Sequence, residues 1–304
     1  MQRVSNKELE IVLQQYGVIS SPYQIRQLSK KGIWVVNEQF VVKQLKNKAI
    51  ASNTCNILDL LNKDNLIIGK HIYTSNGQAF VHCMKGDFII KEFTRGKSFK
   101  IEEALRQCDT FGYKTGSALA SLHSSFAVNV DGKFEVADTM LEYDEAIRFL
   151  YDKNILIPVQ IVEECELFKS TYHRLPKQII HRDIHLGNII IDDSFDVHFV
   201  DFDSCEINTR IFDLAYFGMS SLDYINDNSD LRRWQVLFAF FLQGYYDQIK
   251  LNQEEIVSIW KMILVLQICF IRYFFEKDNK IEARISKLEY VYNHRNDIIE
   301  QTLN

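Results

Sequence analysis

Strand-forming sequence is concentrated before residue 95 and helix-forming sequence after it, and this asymmetry restricts the fold more than any other feature. Between residues 23 and 45, YQIRQLS, GIWVV and QFVVKQL are short, β-branched and aromatic-rich, with Lys30-Lys31-Gly32 and Asn37-Glu38 between them. Short apolar runs bounded by turn formers predict an antiparallel meander. LIIGKHIYT, GQAFVHCMK and GDFIIKEF read as further strands of the same sheet, with a helix at about 48 to 63 between the two groups. Ser5-Asn6-Lys7-Glu8 has capping-box spacing ahead of the periodic Leu9, Val12 and Leu13, so a first helix is predicted over about 6 to 15.

Beyond Arg95-Gly96 the apolar period becomes helical. Helices are predicted at about 105 to 124, 142 to 153 and 158 to 173, and again in the Phe-, Leu- and Tyr-rich segments from 212 onward. Only NIII and VHFVDF interrupt this pattern. The expectation is an α+β fold of two lobes, a sheet-rich one over 1–94 and a helical one over 95–304, joined by a tight hinge near 91 to 96. With 304 residues, 47% of them hydrophobic, there is enough apolar sequence to fill both.

The formal net charge is -5, so no global basic field points to nucleic acid or an anionic membrane as partner. Six cysteines are scattered singly and read as buried, reduced thiols. The opening MQRVSNKELEIVLQQYG lacks the continuous apolar stretch of a signal peptide, which makes a cytoplasmic location the expectation. The apolar segment 256 to 275 is interrupted by Lys261, Gln267 and Arg272, which predicts a buried helix in place of a membrane span.

Chemistry is concentrated in IIHRDIHLGNIII, residues 179 to 191. His181, Asp183, His185 and Asn188 sit there inside an apolar strand-turn-strand pattern, where polar groups are costly unless paired. A second apolar strand then delivers Asp201 in V-D-F-D. One carboxylate can orient or deprotonate an attacking hydroxyl, while an amide oxygen and another carboxylate hold Mg²⁺ on nucleotide phosphates. The plainer alternative is that these residues only satisfy turn backbones, as Asp and Asn often do.

H-x-D-x-x-x-x-N followed by D-F-D resembles the catalytic and metal loops of the aminoglycoside phosphotransferase and choline kinase family of small-molecule kinases, which share the protein kinase-like two-lobed fold. Against that family's frequent H-G-D-x-H-P-x-N run, Arg182 replaces a usual Gly and Leu186 a usual Pro. The resemblance implies that Asp183 is the catalytic base, that Asn188 and Asp201 bind Mg²⁺, and that His181 packs and hydrogen-bonds within the loop. It also implies that Asp203 assists metal or substrate and that Asp213 braces the loop from the next helix. His185 is read as structural.

On the nucleotide side, Lys43 ends FVVK on the same strand face as Val41, as a phosphate-binding lysine does. A solvated lysine at a strand end is the bland alternative. The following helix, KAIASNTCNILDLL, has no Glu, which leaves Asp59 either as the partner of Lys43 or as an ordinary exposed acid. Ser29-Lys30-Lys31-Gly32 occupies the place of a phosphate-covering loop with a single glycine, and a plain hairpin turn is an equal reading. GDFIIKEFTRG resembles the family's hinge, where the backbone of Lys91 and Phe93 would hydrogen-bond adenine and Gly96 would begin the second lobe.

Only eleven residues separate Asp201 from Asp213 and no A-P-E follows, which disfavours a protein substrate. The implied activity is ATP- and Mg²⁺-dependent phosphoryl transfer to a small-molecule alcohol such as an amino alcohol, amino sugar or aminoglycoside. Asp223, Asp227 and Asp230 are either a cation-receiving patch or a solvated loop. Trp234, Tyr245, Tyr246, Trp260 and Tyr273 are either an ammonium cage or core. VDFDSCEINTRIFDLAYF and the YTSNGQAFV hairpin further resemble the spore-coat CotS-like and homoserine kinase-like branch, which implies a second reading: a spore-associated scaffold of kinase fold.

Overall fold

Helix α1 (Asn6–Leu13) opens with the capping box, in which Ser5 Oγ accepts the Glu8 N–H at 3.3 Å and Glu8 Oε2 accepts the Ser5 N–H at 2.8 Å. The structure is a computed structural model and describes residues 4–17, 21–29, 32–64, 66, 69–127, 132–277 and 280–298. Strands β1 (Ile25–Ser29), β2 (Ile33–Val36) and β3 (Phe40–Leu45) form the antiparallel meander. Asn37 and Glu38, with φ of 55° and 50°, are the left-handed pair of a three-residue turn that Gln39 closes with its N–H on the Val36 carbonyl at 3.1 Å. Lys30 and Lys31 lie outside the described residues.

Three more strands complete the sheet: β4 (His71–Ile72), β5 (Val81–Cys83) and β6 (Gly86–Glu92), in the order β1-β2-β3-β6-β4 with β5 also on β6. Alternation then sorts the side chains. Trp34, Val36, Val42, Phe88 and Ile90 form a core with α1, while Val41, Lys43, Ile89 and Lys91 face α2 (Lys48–Lys63) and the rest of the chain.

The helical part begins with α3 (Ile101–Arg106) and α4 (Cys108–Phe126). The single helix predicted at 105 to 124 is thus two, broken at Gln107, whose φ and ψ of -125° and 37° leave the helical region. Helices α5 (Thr139–Asp152), α6 (Val159–Tyr172), α7 (Ile211–Asp223), α8 (Leu231–Gln248), α9 (Gln253–Phe274) and α10 (Ile281–Asn293) follow. Helix α9 is packed by α5, α6, α7 and α10. Among the described residues it alone is long and apolar enough to cross a membrane, yet 67% of its most apolar window is buried inside the protein, as a core helix requires. Helices α4 and α8 approach through glycine: a Cβ on Gly116 would stand 1.9 Å from the Phe241 carbonyl oxygen.

Two small antiparallel pairs carry the motif: β7 (Lys177–Ile180) with β10 (Glu206–Thr209), and β8 (Ile189–Ile191) with β9 (Val197–Phe199). EINT has no apolar strand signature, and β10 was not predicted. It is held by its ladder to β7 and by Asn208, whose Nδ2 donates to Glu206 Oε1 and Thr139 Oγ1, both at 3.0 Å. The chain leaving the sheet is tied to β8 through reciprocal backbone bonds between Lys97 and Ile191 at 3.0 and 2.9 Å. Gly96 permits that approach, since at its φ of 136° a Cβ would lie 2.5 Å from the Ile191 carbonyl oxygen.

Candidate active site

The loop after β7 is organised by one buried carboxylate. Asp213, in the first turn of α7, accepts the His181 N–H and the Arg182 N–H, each at 2.8 Å, and the His123 Nε2–H at 3.0 Å. His123 in turn accepts from the Tyr245 hydroxyl at 2.9 Å. The His181 ring is fully buried, and desolvation lowers its pKa, so it is a neutral imidazole. Its Nε2 donates to the Val200 carbonyl at 3.1 Å and its Nδ1 accepts the Asp183 N–H at 3.3 Å.

Arg182 stands at φ 70°, the left-handed region that glycine enters freely, which explains why Gly is the usual residue here. Its guanidinium bridges Glu142 at 2.6 Å and Glu206 at 2.8 Å. Burial pushes the Glu206 carboxyl up to about 7 against the pull of Arg182.

Asp183 then presents a fixed carboxylate. Oδ1 accepts the Tyr216 hydroxyl at 2.9 Å, Oδ2 accepts Asn188 Nδ2 at 3.0 Å, and His185 Nε2 lies 3.7 Å from Oδ2. Burial raises its pKa, but the pull of the neighbouring His185 ring, then the Tyr216 hydroxyl, outweighs it and holds the carboxyl well below the ordinary range. Burial, then the Asp183 charge, pushes Tyr216 up, so its hydroxyl remains a donor.

The β8–β9 hairpin brings Asn188 and Asp201 together, as their spacing predicts: Val200 N–H donates to the Asn188 carbonyl at 3.0 Å, one residue before Asp201. Asp201 itself has φ 74°, an unusual conformation outside glycine. Across the cleft Lys43 Nζ reaches Asp201 Oδ1 at 2.5 Å and Asp203 Oδ2 at 2.7 Å. Asp203 Oδ1 is buried without a partner, and burial raises that carboxyl's pKa.

Asp59 is not the partner of Lys43. Its carboxylate takes the Tyr73 hydroxyl and lies 3.0 Å from His71 Nδ1, so it is committed to the β4 side of α2, while Lys43 is held by Asp201 and Asp203. The role expected of a helix acid is filled by Asp203. At the hinge, the Phe93 N–H donates to the Gln39 carbonyl at 2.7 Å, so its donor is committed within the sheet. Lys91 pairs with Val41 in the ladder and sends its side chain into the cavity of about 40 Å³ that Lys43, Thr54, Asp201 and Asp203 also line.

Among the described residues no three His, Cys, Asp or Glu side chains cluster as a metal site. The residues whose oxygens could hold a hard cation are Asn188, Asp201 and Asp203, with ligand oxygens completing the set. The orphaned Asp203 oxygen fits that use.

Beside Asp183 opens a larger cleft, about 880 Å³, walled by aromatic side chains such as Phe212, Tyr216, Tyr224, Phe270 and Tyr273. Its acids are already paired. Asp223 accepts Arg284 Nε and Nη2, both at 3.1 Å, and Glu142 holds Arg182. Away from the cleft lining, Asp227 caps the turn at Ser229 and Asp230 pairs with Arg233 at 3.3 Å. Of the aromatics considered as a cage, Trp234, Tyr245 and Trp260 are buried in the core and only Tyr273 lines the cleft. Tyr216, His123 and Arg284 carried no motif in the sequence, although Tyr216 stands one helical turn beyond Asp213.

This two-lobed arrangement, with a lysine-bearing sheet over a His-Asp-Asn loop and a hairpin aspartate, defines a kinase-like phosphotransferase fold. The chain belongs to the phosphotransferase enzyme family (APH), whose model matches residues 69–247. The fold is similar to that of amicoumacin kinase hAmiN in complex with AMP-PNP, Ca²⁺ and Ami (TM-score 0.71, 14% identity, covering 98% of this chain and 93% of that one). It is also similar to a choline/ethanolamine kinase family protein from Mesorhizobium loti (TM-score 0.68, 11% identity, 98% of each chain). A microcompartment-associated aminopropanol kinase matches with a TM-score of 0.61 at 15% identity over 99% of each chain.

Proposed function

We propose that the protein transfers the γ-phosphoryl group of an ATP-type nucleoside triphosphate to a hydroxyl of a small molecule. The observation that carries this reading is the triad at the cleft, Lys43 held by Asp201 and Asp203 across from the Asp183–Asn188 loop. Lys43 neutralises phosphate charge from a rigid strand. Asp183, ionised and oriented by Tyr216 and Asn188, positions the acceptor hydroxyl and takes its proton as the new bond forms. Asn188, Asp201 and Asp203 would hold Mg²⁺, which supplies charge neutralisation on the phosphates. His181 and Asp213 keep the loop in shape.

The acceptor cleft is aromatic and its acids are internally paired, so a polycation finds few free carboxylates there. An amino alcohol or a lightly charged amino sugar fits better than a polycationic aminoglycoside. A scaffold of the CotS-like kind has no physical need for every polar group of a phosphoryl-transfer site to converge.

The test is thermal melting with ATP or GTP and Mg²⁺. Wild type is stabilised by ATP or by GTP with Mg²⁺ and Asp201→Ala by neither; absence of a shift in both proteins with both nucleotides leaves the scaffold reading in its place.

A further inference from the structure

We infer that Lys91 makes the nucleotide site selective for a purine with an oxygen at C6, so that guanine nucleotides bind in preference to adenine nucleotides. The inference rests on the phosphotransferase reading above and sharpens it. In the β3–β6 ladder Lys43 lies opposite Ile89 and Val41 opposite Lys91. Both lysines line the same cavity, whereas Ile90 turns to the opposite core. Lys91 is therefore two residues nearer the hinge than the level of Lys43, about 7 Å along the strand. If Lys43 meets the phosphates, Lys91 stands on the side of the base.

What Lys91 offers there is one-sided. An ammonium has three donors and no acceptor. One N–H goes to Thr94 Oγ1 at 3.1 Å, and among the described residues no carboxylate pairs with it. Burial, then the charge of Lys43, lowers its pKa to about 8, so it remains mostly protonated at neutral pH. The C6 carbonyl of guanine accepts from such a group. The C6 amino group of adenine turns donors toward donors and leaves the buried cation unsatisfied. Val41, Leu58 and Ile89 on the same walls provide no side-chain acceptor, the Thr54 hydroxyl donates or accepts and so does not choose between the bases, and the two carboxylates of the cavity, Asp201 and Asp203, sit at its other end against Lys43.

The experiment is calorimetric titration of the full chain with the Mg²⁺ complexes of GDP, IDP and ADP. GDP and IDP are expected to bind about tenfold or more tightly than ADP, the effect of one mismatched buried polar contact. Lys91→Met is expected to bring the three within about twofold. IDP carries the C6 oxygen without the 2-amino group of guanine, so it decides the matter even if the variant does not fold. Binding of IDP at the level of ADP, equal binding of all three by wild type, or an unchanged ratio in a folded Lys91→Met overturns the assignment of Lys91 while leaving nucleotide use intact. Failure of all three to bind overturns the phosphotransferase reading with it.

Discussion

On the proposed reading, the phosphate side and the acceptor side of the cleft are built on different principles. On the phosphate side, strand β3 and the short turns flanking β7, β8 and β9 deliver a few polar and charged groups into direct contact, with Lys43 on Asp201 and Asp203 and with Asn188 on Asp183. On the acceptor side, helices α5, α7, α9 and α10 contribute a broad wall, largely aromatic, whose charges are mutually cancelled, as in Glu142 with Arg182 and Asp223 with Arg284. Phosphate chemistry is the same for every acceptor and demands fixed residue types. The acceptor wall has only to match a shape, and many sequences can do that.

The largest expected effect tests whether the two sides meet at Asp183. Asp183→Asn keeps the size of the side chain and removes its charge, so turnover falls by about 10³-fold or more while nucleotide binding is kept. Single-turnover assays beside nucleotide titration check this; full activity in the variant rejects Asp183 as the group that orients the hydroxyl.

That contrast also explains what was legible in the sequence. His181, Asp183, Asn188 and Asp201 lie in one short stretch whose strands make them converge, and the structure joins all four through the loop and hairpin. The sheet-then-helix order was legible for a similar reason, because period and turn residues are local signals. Asp203 was visible as a residue but not as the anchor of Lys43, since its role depends on which α2 side chain fails to reach the lysine. His123, Glu142 and Arg284 come from helices far apart in the chain, and nothing local marks them. Strand β10 was missed because tertiary pairing to β7, not propensity, makes EINT a strand.

Next in size is the support beneath the loop. Asp213→Ala leaves two backbone donors and His123 without their acceptor inside the protein, which costs about 3 kcal/mol or more of stability and most of the turnover. Denaturant unfolding of the variant measures the first effect. A loss below about 1 kcal/mol would mean that the loop holds its shape without this brace.

Glu206 gives an effect of similar or slightly smaller size that depends on pH. Its folded-state value of about 7 exceeds the ordinary 4.5, so the folded protein holds the proton more tightly than the unfolded chain does. Its contribution is fully present below about pH 4.5 and is lost as pH rises to about 7, amounting to roughly 3 kcal/mol. Glu206→Gln cannot titrate, so its stability relative to wild type is expected to improve across that window. A difference between the two proteins that is flat with pH shows that Arg182 already holds Glu206 ionised.

The smallest effect separates the two sides most finely. Tyr216 belongs to the acceptor wall yet donates to Asp183 Oδ1 at 2.9 Å, so it touches the chemistry without touching the phosphate site. Tyr216→Phe keeps the ring stacked on Phe212 and its edge contact with Phe270 while deleting one hydrogen bond. Loss of that donor lowers kcat about tenfold, the kinetic equivalent of a single hydrogen bond to a charged group. Because the hydroxyl also helps to hold the Asp183 pKa down, the acid limb of the kcat profile shifts to higher pH in the variant. Nucleotide affinity stays at the wild-type value, since Lys43, Asp201 and Asp203 keep all their contacts. A matching loss of nucleotide affinity would show that the wall and the phosphate site move as one body, and the division drawn between them would then be withdrawn.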